Sequence, residues 1–136
     1  MNNADLVLKL LQLNASAAFN RWAGFEIVAA EPGRVELRMA WKDEATQYAG
    51  FLHAGLVGAL IDTACGFAAF TQAGPVLASH FSVSCLAPAV GRAFHCTGEV
   101  TKAGKRQIFT RAELFAETEA GERKLVATGE TILMAT

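Results

Sequence analysis

Residues Phe51 to Phe70 form a run of twenty that carries one charge, Asp62, and no other feature limits the folds open to this chain as much. The run is too long for a strand, and Gly74-Pro75 stops it through a lost amide and a fixed φ, so it reads as one helix of about five turns over His53 to Gln72. Leu56, Val57, Leu60, Ile61, Ala64, Phe67 and Phe70 leave it no polar face. A helix that is apolar all round must be buried, in protein or in lipid. It is long enough for a bilayer, but Asp62 near its middle would cost about 2.5 to 3.5 kcal/mol there and no basic flank follows, which favours a protein core. Gly58 and Gly66 each cost ~1 kcal/mol against alanine inside a helix, and close approach of a surrounding sheet accounts for them.

The rest of the chain supplies that sheet. Residues 4 to 20 place Leu6, Leu10, Leu13 and Ala17 at helical spacing, which predicts one short amphipathic helix able to cap an open end of the core. A strand over Phe25 to Ala30 and a turn at Pro32-Gly33 follow. Strict alternation of Val35, Leu37, Met39 and Trp41 with Arg34, Glu36 and Arg38 predicts a half-buried strand. After the helix, strand patterns recur over Val76 to Ala87, Arg92 to Lys102, Arg106 to Glu117 and Arg123 to Met134. Phe81, Val83 and Cys85 alternate with Ser82 and Ser84, so the first of these is expected to bury one apolar face. The pattern is α+β: five to six antiparallel strands wrapped around one long helix, in a single domain over residues 1–136.

Composition narrows the function. The chain is 52% hydrophobic and 18% charged, apolar enough to predict that some of its surface faces another subunit. A net charge of -1 with scattered Lys and Arg leaves no electrostatic footprint for nucleic acid or an anionic membrane. Cys65, Cys85 and Cys96 are odd in number with no CxxC spacing, which fits reduced thiols, and Leu6 to Leu13 is broken by Lys9 and Gln12. A cytoplasmic location is therefore expected. The histidines and cysteines show no short ligand spacing, so no metal site is predicted.

Asp62 is the residue to explain, because a lone carboxylate in an apolar helix is costly unless paired or used. His53 stands nine residues earlier, on the opposite side of the helix and ~13 Å away along it, so the two cannot form a dyad within one chain. If both work, Asp62 must meet another segment, and a two-fold related copy is the simplest supply of a second helix start.

The order of strand, Gln47 loop, His53-Ala54-Gly55, apolar helix with Asp62 and four further strands resembles the hotdog-fold acyl-CoA thioesterases. The branch it is most similar to contains the phenylacetate-pathway and 4-hydroxybenzoyl-CoA thioesterases. Gln47, His53 and Asp62 keep the family spacing, Ala54 replaces the first of two family glycines, and Leu86 to Ala89 and Gly104-Lys105-Arg106 match later signals. The resemblance implies hydrolysis of a medium-chain or aromatic acyl-CoA, with coenzyme A as part of the substrate and no other cofactor. It also implies a homodimer or dimer of dimers, with Asp62 from one subunit and Gln47 and the helix-start amide from its partner.

On that reading the unpaired amides of His53 to Gly55, with Ala54 foremost, hold the developing oxyanion. The Ala54 methyl is a concern if the family glycine uses a positive φ. Asp62 serves as general base or as nucleophile, Gln47 holds water or the thioester, and His53 braces the loop. Ser79 or His80 could place water near Asp62, and Lys105, Arg106 and Arg92 could bind coenzyme A phosphates. Two rivals use the same pocket: a dehydratase or hydratase in which His53 moves protons at carbon, and a non-catalytic acyl-CoA binding module.

Overall fold

The computed structural model describes residues 2–136 and begins with helices α1 (Asn3–Ser16) and α2 (Ala18–Ala23). Strands β1 (Glu26–Glu31) and β2 (Arg34–Ala40) come next, then helix α3 (Ala54–Ala73), then β3 (Val76–Cys85), β4 (Ala93–Ala103), β5 (Gln107–Glu117) and β6 (Arg123–Ala135). The six strands form one antiparallel sheet in the order β1-β2-β4-β5-β6-β3, wrapped around α3. The predicted elements and their boundaries hold to within a few residues, with one division the periodicity did not foresee. Ala17 is extended (φ -93°, ψ 117°) and splits the expected N-terminal helix in two. Asn side chains stitch that elbow: Asn20 Nδ2 donates to Asn14 Oδ1 (3.0 Å) and Asn14 Nδ2 to the Phe25 carbonyl (2.8 Å), offering the chain partners that a continuous helix would not.

The helix long enough to span a bilayer is the centre of the protein core. Val57, Leu60, Ile61, Ala64, Cys65 and Ala68 are buried against Val35, Leu37 and Met39 of β2, Phe94 of β4, Leu114 of β5 and Leu133 of β6. Much of the close approach comes from glycines in the sheet. A Cβ on Gly98 would sit 2.5 Å from the Ala64 carbonyl, and one on Gly129 would sit 2.7 Å from Ile61 Cγ2. On the helix side, a Cβ on Gly58 would lie 3.3 Å from the Phe81 ring, a tight approach that the ring would have to yield to. A Cβ on Gly66 would meet only Leu133 at 3.7 Å, an ordinary contact, so the sheet does not explain that glycine.

α3 carries the chain across the sheet, so β3 lands beyond β6 at the far edge. There the expected apolar face is only marginally buried. Val76 and Val83 are half-covered, while Leu77, Phe81 and Cys85 stand exposed and an irregularity between Ala78 and His80 breaks the alternation. β3 has ten residues, no Asp, Glu, Lys or Arg, and one edge with no strand partner among the described residues. Such an edge is a template for pairing with another chain.

Candidate active site

The loop that enters α3 is held from three directions. Thr46 and Leu52 form a bridge, the Gln47 amide donates to the Phe51 carbonyl (2.8 Å), and Leu52 N–H donates to the Ala89 carbonyl (2.9 Å). Gln47 turns its side-chain carbonyl inward, accepting from the amides of Ala49 and Phe51. Its NH2 group is left without an acceptor among the described residues.

His53 caps α3. Its backbone is extended (φ -59°, ψ 137°) and its Nδ1 accepts the Gly55 N–H at 2.7 Å, so the neutral ring keeps its own proton on Nε2. His53 thereby ties the first turn of α3 to its own side chain. Gly55 is required by this cap, since a Cβ there would lie 2.9 Å from His53 Nδ1. Ala54 carries no such burden. Among the described residues no non-glycine residue has a positive φ, so alanine is unstrained at this position. Its N–H has no acceptor among the described residues, and Ala54 lines, with His53 and Gln47, a cavity of about 300 Å³ whose wall includes Tyr48, Phe51, Cys85 and Pro88. A free amide at the first turn of a twenty-residue helix, where the partial positive charge sits, suits a developing anion.

Asp62 lies elsewhere. It lines a second cavity, of about 410 Å³, with Gly66, Phe67 and Phe70 of its own helix, Val76 to Ala78 of β3, Leu133 of β6 and Leu13 to Asn20 at the α1–α2 elbow. The two cavities share no residue, as the angle around the helix required. Burial pushes the Asp62 carboxyl above the usual carboxylate range, and no hydrogen bond or neighbouring charge among the described residues offsets it. A carboxylate satisfied by backbone amides is therefore not what the structure contains.

The other sequence-selected residues are scattered, and in the single chain Ser79, His80 and Arg92 line neither cavity. Ser79 donates to the Ile132 carbonyl (3.1 Å), and both it and His80 are exposed on β3 and line neither cavity in the single chain. Arg92 lies at the start of β4 in an ion pair with Glu117, whose carboxyl is held below its usual range by His95 and Arg92 together, so it is engaged away from both cavities. Lys105 and Arg106 stand in the β4–β5 hairpin beside a shallow recess and make no ion pair among the described residues. Arg106 O accepts from Ala135 N–H and Pro75 O from Thr136 N–H, which brings this hairpin to the same end of the sheet as the β3 side of the Asp62 cavity. Missed altogether was the elbow at Ser16 to Asn20 as a wall of that cavity, although Gly66 and Phe70 could have been found at helical spacing from Asp62.

Residues 49–122 match the Thioesterase superfamily. Acyl-coenzyme A thioesterase 13 of Homo sapiens is 33% identical over 106 residues, which cover 76% of this chain and 74% of that protein. A thioesterase family protein from Silicibacter pomeroyi superposes on 95% of this chain and 96% of its own with a TM-score of 0.91 and 36% identity. The E. coli PaaI protein from the phenylacetic acid degradation operon is 18% identical and shares the fold, with a TM-score of 0.87 over 98% of this chain and 95% of its own.

Proposed function

The chain belongs to the thioesterase superfamily, with the hotdog fold and thioester hydrolase activity of that family, and from that premise we propose that it hydrolyses a medium-chain or aromatic acyl-CoA at two equivalent sites between paired copies. The observation that carries this reading is the placement of two incomplete half-sites at opposite ends of an unpaired edge strand. Val76 to Ala78 border the Asp62 cavity and Cys85 borders the His53 cavity. Antiparallel pairing of β3 with its two-fold mate about the middle of the strand sets each end beside the partner's other end. Asp62 of one chain then faces the amide of Ala54 in the second copy.

In that composite site the acyl carbonyl oxygen accepts from the Ala54 N–H, aided by the helix dipole, while the Gln47 NH2 group donates to the carbonyl or to water. Asp62 takes a proton from water as the oxygen adds to the thioester carbon. The tetrahedral oxyanion collapses, the C–S bond breaks, and the coenzyme A thiolate recovers the proton. Lys105 and Arg106 are left free to bind phosphates, near the Asp62 side of the site. His53 holds the turn that aims Ala54. With its Nδ1 already occupied by Gly55, it is poorly placed for the proton transfer at carbon that a dehydratase needs. The cysteines are all unpaired, which supports a cytoplasmic setting.

Free-thiol release from a panel of acyl-CoAs tests the proposal. Wild type is expected to turn over at least one of them and Asp62→Asn to lose that turnover. No release by wild type from any substrate sinks the hydrolysis, as would be expected of a pure binding module, and full activity in Asp62→Asn sinks the role of the carboxylate. Single turnover in heavy-oxygen water separates base from nucleophile, because label entering Asp62 marks an anhydride route.

A further inference from the structure

Gly66 is a helix-interior glycine that packing does not demand. Its Cβ would find only one ordinary contact, with Leu133, itself a wall of the cavity beside Asp62. Gly66 stands four residues after Asp62 and Phe70 eight, so the three lie along one stripe of α3 and the cavity runs with them for ~12 Å from the carboxylate. Its walls are largely apolar, and Leu13 stands at the α1 side. An extended acyl arm of medium length fits such a channel, and its first carbons must pass the place where a Gly66 side chain would project.

We propose that this cavity is the acyl channel and that Gly66 is a specificity-determining residue, keeping the channel open one helical turn beyond the hydrolytic carboxylate so that unbranched medium-chain acyl groups enter. The proposal rests on Asp62 as the hydrolytic residue. It adds that chain-length preference is set within the same chain that supplies Asp62, by Gly66 near the carboxylate and by Leu13 on the α1 wall. The helix gives up stability for this opening, since alanine at the same position is the better helix former.

The test uses the full chain with acyl-CoAs from butyryl to tetradecanoyl, and in parallel their non-hydrolysable thioether analogues as binding probes. Gly66→Val is expected to lower kcat/KM for the longest good substrate by about tenfold or more while changing the shortest by less than about threefold, since even one carbon in an apolar pocket discriminates on that scale and valine adds an isopropyl group. Gly66→Ala should shift the profile in the same direction by less, in a protein at least as stable as wild type, which covers the case in which the valine variant folds poorly. Leu13→Ala should move the preference towards longer chains. The dissociation constants of the thioethers should follow the same order. An unchanged profile in all three variants, or an equal loss at every chain length, overturns the assignment. The thioethers keep the two readings apart: length-dependent binding altered at Gly66 without any turnover would refute hydrolysis and leave the channel standing, whereas turnover with no length dependence on Gly66 would do the reverse.

Discussion

Ala54→Pro removes one N–H from the site and almost nothing else. Ala54 is the first residue of α3, the position where proline is best tolerated because the missing donor has no partner within the helix. Its amide has no acceptor among the described residues, so no intramolecular hydrogen bond is lost. The residue before a proline must leave the helical region, and His53 is already extended at φ -59° and ψ 137°. The His53 cap on Gly55 also survives, since neither of its atoms is altered. Stability should therefore stay within about 0.5 kcal/mol of wild type in a urea melt. If the Ala54 amide binds the oxyanion, kcat for thiol release should fall by about 10² to 10³, equivalent to about 2.7 to 4 kcal/mol. The loss should appear in kcat and kcat/KM together, as for any contact made only in the transition state, and Ala54→Gly should lose neither. A folded Ala54→Pro enzyme that keeps kcat and changes only KM would show that the ring merely crowds the substrate, and would refute the oxyanion assignment.

Mixing Gln47→Ala chains with Asp62→Asn chains after subunit exchange should restore about a quarter of the wild-type sites, because half the pairs are mixed and each mixed pair holds one intact site; no recovery above the separate variants would place both residues of a site in one chain. Asp62→Asn should raise stability at neutral pH, because the folded-state carboxyl is pushed up by burial: the stabilising share of its protonated form is complete below the unfolded value and is lost as pH rises through the folded one. The advantage of the asparagine should shrink towards acid in paired thermal melts, and a constant advantage would contradict it. The same shift moves the acid limb of a pH–rate profile above where an ordinary aspartate would place it, and a limb at the ordinary position would show that the ionisation of Asp62 does not govern the rate. Gly98→Val should cost about 1 to 3 kcal/mol or more in a denaturant melt, since its Cβ would sit 2.5 Å from the backbone of α3 and a helix cannot yield as a side chain does.

The central helix was legible because its residues have nowhere else to go: an apolar run of that length with a single charge admits only burial. β2 was legible because its buried and exposed residues alternate cleanly, Val35, Leu37 and Met39 against Arg34, Glu36 and Arg38. The separation of His53 from Asp62 followed from helical angle, whereas the grouping of Gln47 and Ala54 with His53 came from the resemblance. What spacing could not supply was the place of β3, whose Phe81 and Cys85 carry a buried-strand pattern although both stand exposed in the single chain. Nor did it show the elbow at Ala17, since Ala-Ser-Ala-Ala suits a helix and the break depends on bonds from Asn14 and Asn20 to residues brought near only by folding.

Three features of the single chain are unfavourable taken one at a time: an edge strand without Asp, Glu, Lys or Arg, a carboxylate desolvated without a partner, and a helix-start amide without an acceptor among the described residues. The proposed pairing makes them one arrangement, since burying the edge brings the carboxylate and the amide to opposite sides of one space. It also accounts for there being no arginine or lysine beside Asp62 among the described residues. A cation there would settle the charge and hold the carboxyl low, leaving a weak base. Desolvation alone raises its basicity, at a cost in folding stability that the rest of the core must offset. A site that kept Asp62 comfortable in the isolated chain would have less to offer a water molecule in the pair.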